Sequence, residues 1–253
     1  MDIHKSLAEY WNRDAPTYDL APSHIAHSAA ERAAWNAALL RYLPPPPARI
    51  LDLGAGTGAL ALPLARLGYR VTALDLSDSM LERLRVGAAE QGLEIETVTG
   101  PAETPPAGPF DAVVERLLLW TLVDPEGALA TWRQVARSGR LVSFGGVWGV
   151  ADKLEAKRAR ARHVLHRIRR RPPEHHRPYD KQILAQLPLG PGTKLSLVIE
   201  IVENAGWRHV RVARLRDVEW ARTIELPLPE RLLGVTPEFA VIADDFGAPD
   251  GNG

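Results

Sequence analysis

The chain has 253 residues, with 31 Lys or Arg balanced by 31 Asp or Glu, and no cysteine. That length, with 45% hydrophobic residues, predicts one large domain or one domain with an elaborated insert, and excludes disorder for the bulk. Zero net charge gives no global attraction to nucleic acid or an anionic surface, and the missing cysteines exclude disulfides, thiolate metal sites and a Cys nucleophile.

The stretch MDIHKSLAEYWNRDAP carries acids and no apolar run, so a signal peptide is not expected. No window approaches the ~18 apolar residues of a membrane span. A cytoplasmic protein without a membrane partner is expected, as a monomer or a homodimer. Residues 3–12 and 28–42 have helical spacing, and the prolines at 44–47 must end the second helix. Residues 1–47 are predicted to form an N-terminal helical lid.

From residue 48 the pattern alternates. Strands are predicted at 49–53, 70–76, 94–98, 111–115 and 140–145, and helices at 57–67, 77–90 and 125–137. Ser77 or Asp78 is the expected N-cap of the helix at 77–90. This alternation implies βαβ units and a buried parallel sheet, here over residues 48–149. Residues 153–181 then hold eleven Lys or Arg against three Asp or Glu. The segment 150–192 is read as a basic helical insert capping an acceptor site. A helix at 195–205 and strands at 208–215 and 238–243 complete the sheet within 193–246, and the Gly-rich 247–253 reads as a flexible tail.

The stretch LDLGAGTG (51–58) places three glycines between a strand and a helix, where bare backbone can approach a ligand. The helix opening near Thr57 is expected to favour a carboxylate or phosphate at its N-terminus. Asp75 ends the second strand, 21 positions after Gly54, where an acid can hold ribose hydroxyls. Gly54, Gly56 and Ala59 loosely satisfy a dinucleotide fingerprint. Asp52 would repel a pyrophosphate and suits a cationic ligand such as an ammonium group. On these residues alone an adenosine-containing cofactor is indicated, with a dinucleotide still open.

DLGAGTG, followed by ALDLSDSML and FDAVVERLLLW, resembles the class I S-adenosylmethionine-dependent methyltransferases of the bacterial small-molecule, natural-product branch, over residues 48–146. YWNRDAPTYD (10–19) is similar to the N-terminal stretch of many such proteins. The resemblance implies a Rossmann-like, doubly wound α/β fold. Its sheet would be seven-stranded and mostly parallel, with an antiparallel strand near the end. S-adenosyl-L-methionine would be the cofactor and S-adenosyl-L-homocysteine the product. Gly54, Gly56 and Gly58 would line the methionine part, with Asp52 at its ammonium. Asp75 would bind the ribose. Leu76 and Met80 would flank the adenine, with Ala102 and Glu103 at its edge. Glu115, with Arg116, would close the fourth-strand end, and Tyr18 would close over the cofactor. Pro101 stands where many relatives have an Asp for the adenine amino group.

The acceptor is expected to be a small molecule, walled by Tyr10, Trp120, Trp148 and Tyr179. The basic run suggests an anionic or diphosphorylated acceptor, such as an isoprenoid diphosphate, gripped by Arg162, Arg169 or Arg170. An oxygen or carbon acceptor needs a base, for which His24, His27 and His176 are the candidates. No metal constellation is seen. Three alternatives stay open: an RNA methyltransferase using the basic insert, a non-catalytic cofactor-binding protein, and an NAD-dependent oxidoreductase. Zero net charge and the lack of a recognisable RNA-binding module argue against nucleic acid.

Overall fold

The sheet is built outward from β1 (Arg49–Leu53), whose RILDL is buried at every position after Arg49. The computed structural model describes residues 2–21, 24–146, 153–168, 179–190 and 193–245. β1 pairs in parallel with β2 (Arg70–Asp75) on one side and β4 (Ala112–Arg116) on the other. β3 (Ile95–Thr99) extends β2, and β5 (Arg140–Gly146) extends β4, both in parallel. β7 (Glu238–Asp244) runs antiparallel to β5 and to β6 (Arg208–Arg214). The order is β3-β2-β1-β4-β5-β7-β6. The seven-stranded, mostly parallel sheet with one reversed strand is therefore as expected. The order turns back at β1, so a crevice must open beyond the carboxyl ends of β1, β2 and β4.

Alternation along the strands separates two cores. Ile50, Val71, Ala73, Val114 and Ile242 pack with α2 (Ala29–Tyr42), α3 (Ala61–Arg66), α4 (Asp78–Glu90) and α9 (Arg216–Glu225). Leu51, Leu53, Val113, Leu141 and Val241 pack with α5 (Pro125–Val135) and α8 (Leu195–Asn204) on the other face. The remaining helices are α1 (Ile3–Asp14), α6 (Lys153–Ile168), α7 (Lys181–Leu184) and α10 (Leu228–Arg231).

The helix starts follow their capping residues. Ser77 accepts from the Met80 amide at the start of α4, as expected. Asp124 caps α5 ahead of Pro125 at its first turn. Strand ends fall within a residue or so of the predicted ones. The helix predicted at 57–67 begins instead at Ala61. Gly54, Gly56 and Gly58 have φ of +62°, +55° and +100°, which no α-helix accommodates, so the chain winds through a tight loop first. α3 is then only six residues long. The expectation of an anion at a helix N-terminus near Thr57 is thereby overturned.

One buried ionic cluster ties the two ends of the chain together. The Arg222 guanidinium of α9 lies 2.6 Å from Glu31 of α2 and 2.5 Å from Glu238 of β7. All three side chains are nearly buried, so the charges depend on one another. Arg222→Ala would leave the two carboxylates facing each other without the guanidinium that pairs them. It should lower unfolding free energy by ~3–5 kcal/mol in urea titrations. A loss under ~1 kcal/mol would mean that the pairing is screened like a surface bridge.

Candidate active site

The crevice is shaped first by the glycine loop. A Cβ at Gly54 would lie 2.8 Å from Leu118 Cδ1, so this glycine lets β1 meet the β4 loop. A Cβ at Gly56 would reach nothing nearer than Tyr18 at 3.9 Å, and its backbone forms cleft floor. Gly58 differs from the expectation. Its Cβ would meet Leu62 and Leu84 at 2.9 and 3.2 Å, and it lines neither cavity described below. It serves helix packing rather than the ligand.

Two adjoining cavities share Tyr18, Gly54, Gly56, Arg116 and Leu117. The larger, about 730 Å³ including its open mouth, runs past Asp75, Leu76 and Met80 to Ala102 and Glu103. The smaller, about 320 Å³, runs past Asp52, His24 and Ala59. Both carboxylates on the loop are paired with backbone or nothing. Asp75 accepts from the Gly56 amide with Oδ2 and from the Ser77 amide with Oδ1, each at 2.8 Å. A carboxylate has about four acceptor positions, so both oxygens can still receive a diol. Burial pushes Asp75 up to about 6, against the pull of the Ser77, Gly56 and Leu76 amides. Asp52 is 1% exposed, and its Oδ2 has no hydrogen-bond partner among the described residues. Burial, and then the charge of Asp75, hold its carboxyl well above the usual range. An orphaned buried carboxylate on a cavity wall fits a cationic group, as an ammonium-bearing cofactor requires.

The N-terminal segment covers this crevice and is fastened at several points. Asn12 accepts from the Ser77 hydroxyl and the Ser79 amide. Asp19 accepts from the Thr57 hydroxyl at 2.6 Å and pairs with Arg83 at 3.0 Å. His4 reaches Glu103 at 3.3 Å. Tyr18 sits in the turn Tyr18–Leu20, lines both cavities, and burial pushes its phenol up to about 12. His24 stacks on it at 4.0 Å between ring centroids. His24 Nδ1 lies 2.7 Å from the Tyr18 carbonyl, so Nδ1 donates, and in the neutral ring Nε2 is the basic nitrogen.

The other expected residues fall into place unevenly. Arg116 lines both cavities, donates to the His24 carbonyl at 3.0 Å and lies 4.5 Å over the Trp35 ring. Glu115 lies under the cleft, not on it. It is fully buried, accepts from the Leu118 and Leu119 amides, and receives the Ser143 hydroxyl. Its neighbour Leu117 has φ +61°, a left-handed turn that Glu115 fixes through those amides. Ala102 lines the larger cavity, while its carbonyl is taken by the Trp132 indole. Tyr10, Trp120 and Tyr179 pack together behind Trp11, with Tyr10 and Trp120 4.5 and 5.6 Å from Tyr179, and none of the three lines either cavity. Their expected role as an open wall gives way to mutual packing. His27 is exposed and lines neither cavity; its amide meets Glu31 beside the α2 cap. Arg162 donates to the Leu233 carbonyl, beyond α10, and lines neither cavity. His176, Trp148, Arg169 and Arg170 lie outside the described residues. Sequence reasoning missed Leu117, Leu118 and His4 as lining residues, because nothing local marks them. Among the described residues no group of three His, Asp or Glu could hold a metal ion, and no helix is long and apolar enough to cross a membrane.

Sheet order, glycine loop and the acid closing β2 define the Rossmann-like class I methyltransferase fold. The family model described as methyltransferase domain matches residues 51–144. The ubiquinone biosynthesis O-methyltransferase of Caulobacter sp. (strain K31) is 32% identical over 168 residues, which span 62% of this chain and 66% of that relative. Geranyl diphosphate C-methyltransferase from Streptomyces coelicolor A3(2) superposes with a TM-score of 0.61 at 13% identity, covering 97% of this chain and 99% of that one. The [4+2]-cyclase SpnF superposes at 0.62 with 15% identity, covering 94% of each chain. At those identities the two structures speak for the fold alone. Residues 51–144 thus match that methyltransferase domain, and the chain spans just under two thirds of the length of the curated relative it matches.

Two outcomes test this site. Asp75→Ala should weaken S-adenosylhomocysteine binding at least tenfold by calorimetry, since hydrogen bonds to a charged group are worth ~1.5–3 kcal/mol; unchanged affinity would remove Asp75 from the ribose. Burial raises Glu115 from 4.5 to about 7, so its contribution to stability is complete below pH 4.5 and lost as pH rises through 7. That loss is on the order of 3 kcal/mol. Glu115→Gln should remove it, so the stability difference between variant and wild type should shift in the variant's favour across that window in denaturant titrations. A difference independent of pH would exclude titration of Glu115.

Proposed function

We propose that this protein transfers a methyl group from S-adenosylmethionine to a small-molecule acceptor. One observation carries the reading. Asp75, with acceptor capacity to spare, and Asp52, with a buried unpaired oxygen, stand on either side of one glycine loop. A ribose diol and an ammonium group match them in that order, whereas a pyrophosphate would meet two carboxylates. S-adenosylmethionine supplies a methyl already activated on a sulfonium, so the protein's main task is alignment, worth up to ~7–11 kcal/mol. Tyr18, Leu117 and Leu118 bound the space in which an acceptor would be oriented and kept from water.

For an oxygen acceptor, His24 is the residue to remove the proton, since its basic nitrogen is Nε2 and it lines the smaller cavity. The relative named for O-methylation in ubiquinone biosynthesis supports an oxygen acceptor. An isoprenoid diphosphate is the alternative. It draws support from the exposed Lys157, Arg158 and Arg160 of α6, although Arg162 is engaged with Leu233. A cytoplasmic monomer or homodimer suits either acceptor.

The test is methyl transfer from labelled S-adenosylmethionine to a panel of prenylated phenols and geranyl diphosphate. Turnover of a phenol, lost in His24→Ala with cofactor affinity retained, is the expected outcome. Cofactor binding without turnover of any acceptor would favour a non-catalytic protein.

A further inference from the structure

The N-terminal segment is tied to the carboxyl end of one strand after another, in sheet order. His4 meets Glu103 beyond β3, and Asn12 accepts from Ser77 and Ser79 beyond β2. Asp19 accepts from Thr57 beyond β1, and the His24 carbonyl accepts from Arg116 at the end of β4. The segment thus lies across the crevice as a strap.

The ties are unequal. Asn12 bonds at 2.7 Å to the Ser77 hydroxyl, which is fully buried, and at 3.2 Å to the Ser79 amide. Asp19 bonds at 2.6 Å to Thr57 and at 3.0 Å to Arg83, beside the stacked Tyr18 and His24 rings. Ahead of Leu7, the only polar tie to the sheet side among the described residues is the 3.3 Å contact of His4 Nε2 with Glu103 Oε1, and the His4 side chain is 41% exposed. Glu103 stands on a fixed post. Its carbonyl accepts from the Thr131 hydroxyl at 3.1 Å, and the Ala102 carbonyl accepts from the Trp132 indole at 2.7 Å. His4 stands on the first turn of α1, about 12 Å along the helix from Asn12. Leu7 and Trp11 fill that span by packing with Leu76 and Tyr179. His4, Leu7, Trp11 and Glu103 all line the larger cavity, so parting His4 from Glu103 widens it and leaves the Asp75 bonds to Gly56 and Ser77 in place.

We propose that the strap opens at its His4 end while Asn12 and Asp19 stay bonded, and that the His4–Glu103 contact is the latch that times entry and release of the cofactor. The inference rests on the S-adenosylmethionine reading above for the identity of the ligand. It makes Glu103 a post for the strap rather than a reader of the adenine edge. A latch closed equally over the empty and the filled cavity governs both rates of exchange and leaves their ratio alone. A residue that touches the ligand changes that ratio.

The experiment is stopped-flow binding and displacement of S-adenosylhomocysteine, followed by the fluorescence of Trp11 and the other indoles. His4→Ala should raise the association and dissociation rates together, by roughly threefold to fivefold, the ceiling for a partly exposed ion pair, with Kd unchanged. Glu103→Ala should do the same, and the double variant should go no further, because both changes remove one contact. Asp19→Ala should weaken binding without raising the association rate. The chain has no cysteine of its own, so His4→Cys with Glu103→Cys can be joined cleanly by a short bismaleimide after loading with S-adenosylhomocysteine. The joined protein, verified by mass spectrometry, should retain its ligand through gel filtration that strips the unjoined one. A Glu103→Ala variant with weakened affinity and an unchanged association rate overturns the proposal, since Glu103 then touches the ligand. So do additive effects in the double variant, faster exchange in Asp19→Ala with none in His4→Ala, or a joined protein that loses ligand as fast as the unjoined one. A wild type that does not bind S-adenosylhomocysteine at all overturns the cofactor reading itself, and this inference with it.

Discussion

The hydrogen bond from the Gly56 amide to the Asp75 carboxylate holds the site together. It links the loop after β1 to the end of β2, and Asp75 also receives the Ser77 amide at the entrance to α4. The loop can make that bond only with left-handed backbone at Gly54, Gly56 and Gly58. The same winding pushes the start of α3 back to Ala61, brings Leu118 against Gly54, and opens the floor at Gly56. Residues that look like one motif therefore do three separate jobs.

Carboxylates crowd this edge of the sheet. Asp52, Asp75 and Glu115 are all raised by burial, and Asp52 feels the other two. The folded chain carries that electrostatic cost with few partners of its own: amides for Asp75, amides and Ser143 for Glu115, and an incomplete set for Asp52. Such an arrangement is preorganised for a cation and a diol, because ligand binding supplies what folding left unpaired. The N-terminal segment completes the enclosure through Asn12, Asp19 and Tyr18, so the cover is bonded to the very loops that bind.

The strands were legible because their apolar runs are short, buried and bounded by turns. RILDL and RVTALD needed no context to be recognised. The acids at 52 and 75 could be read for the same reason: a polar residue closing a buried strand is conspicuous. The start of α3 is not legible in the sequence, because helical propensity across 57–60 competes with glycine backbone that only the folded loop reveals. By sequence position Tyr10, Trp120 and Tyr179 read as a pocket wall, yet aromatic rings satisfy one another when nothing larger separates them. Glu115 looked like a cleft residue by its place at a strand end. The alternation of the strand turned its side chain to the opposite face from Arg116.

The sequence by itself determined the class of fold, the order of its elements and the two acids around the glycine loop, since these depend on local periodicity and on residue chemistry at fixed spacing. Tertiary structure alone decided which glycine meets ligand and which meets leucine. It alone decided that Glu115 supports the site while Arg116 faces it, and that Asp52 keeps an oxygen unpaired. Those outcomes depend on what distant segments bring within a few ångströms, and spacing along a chain does not encode which surfaces will touch.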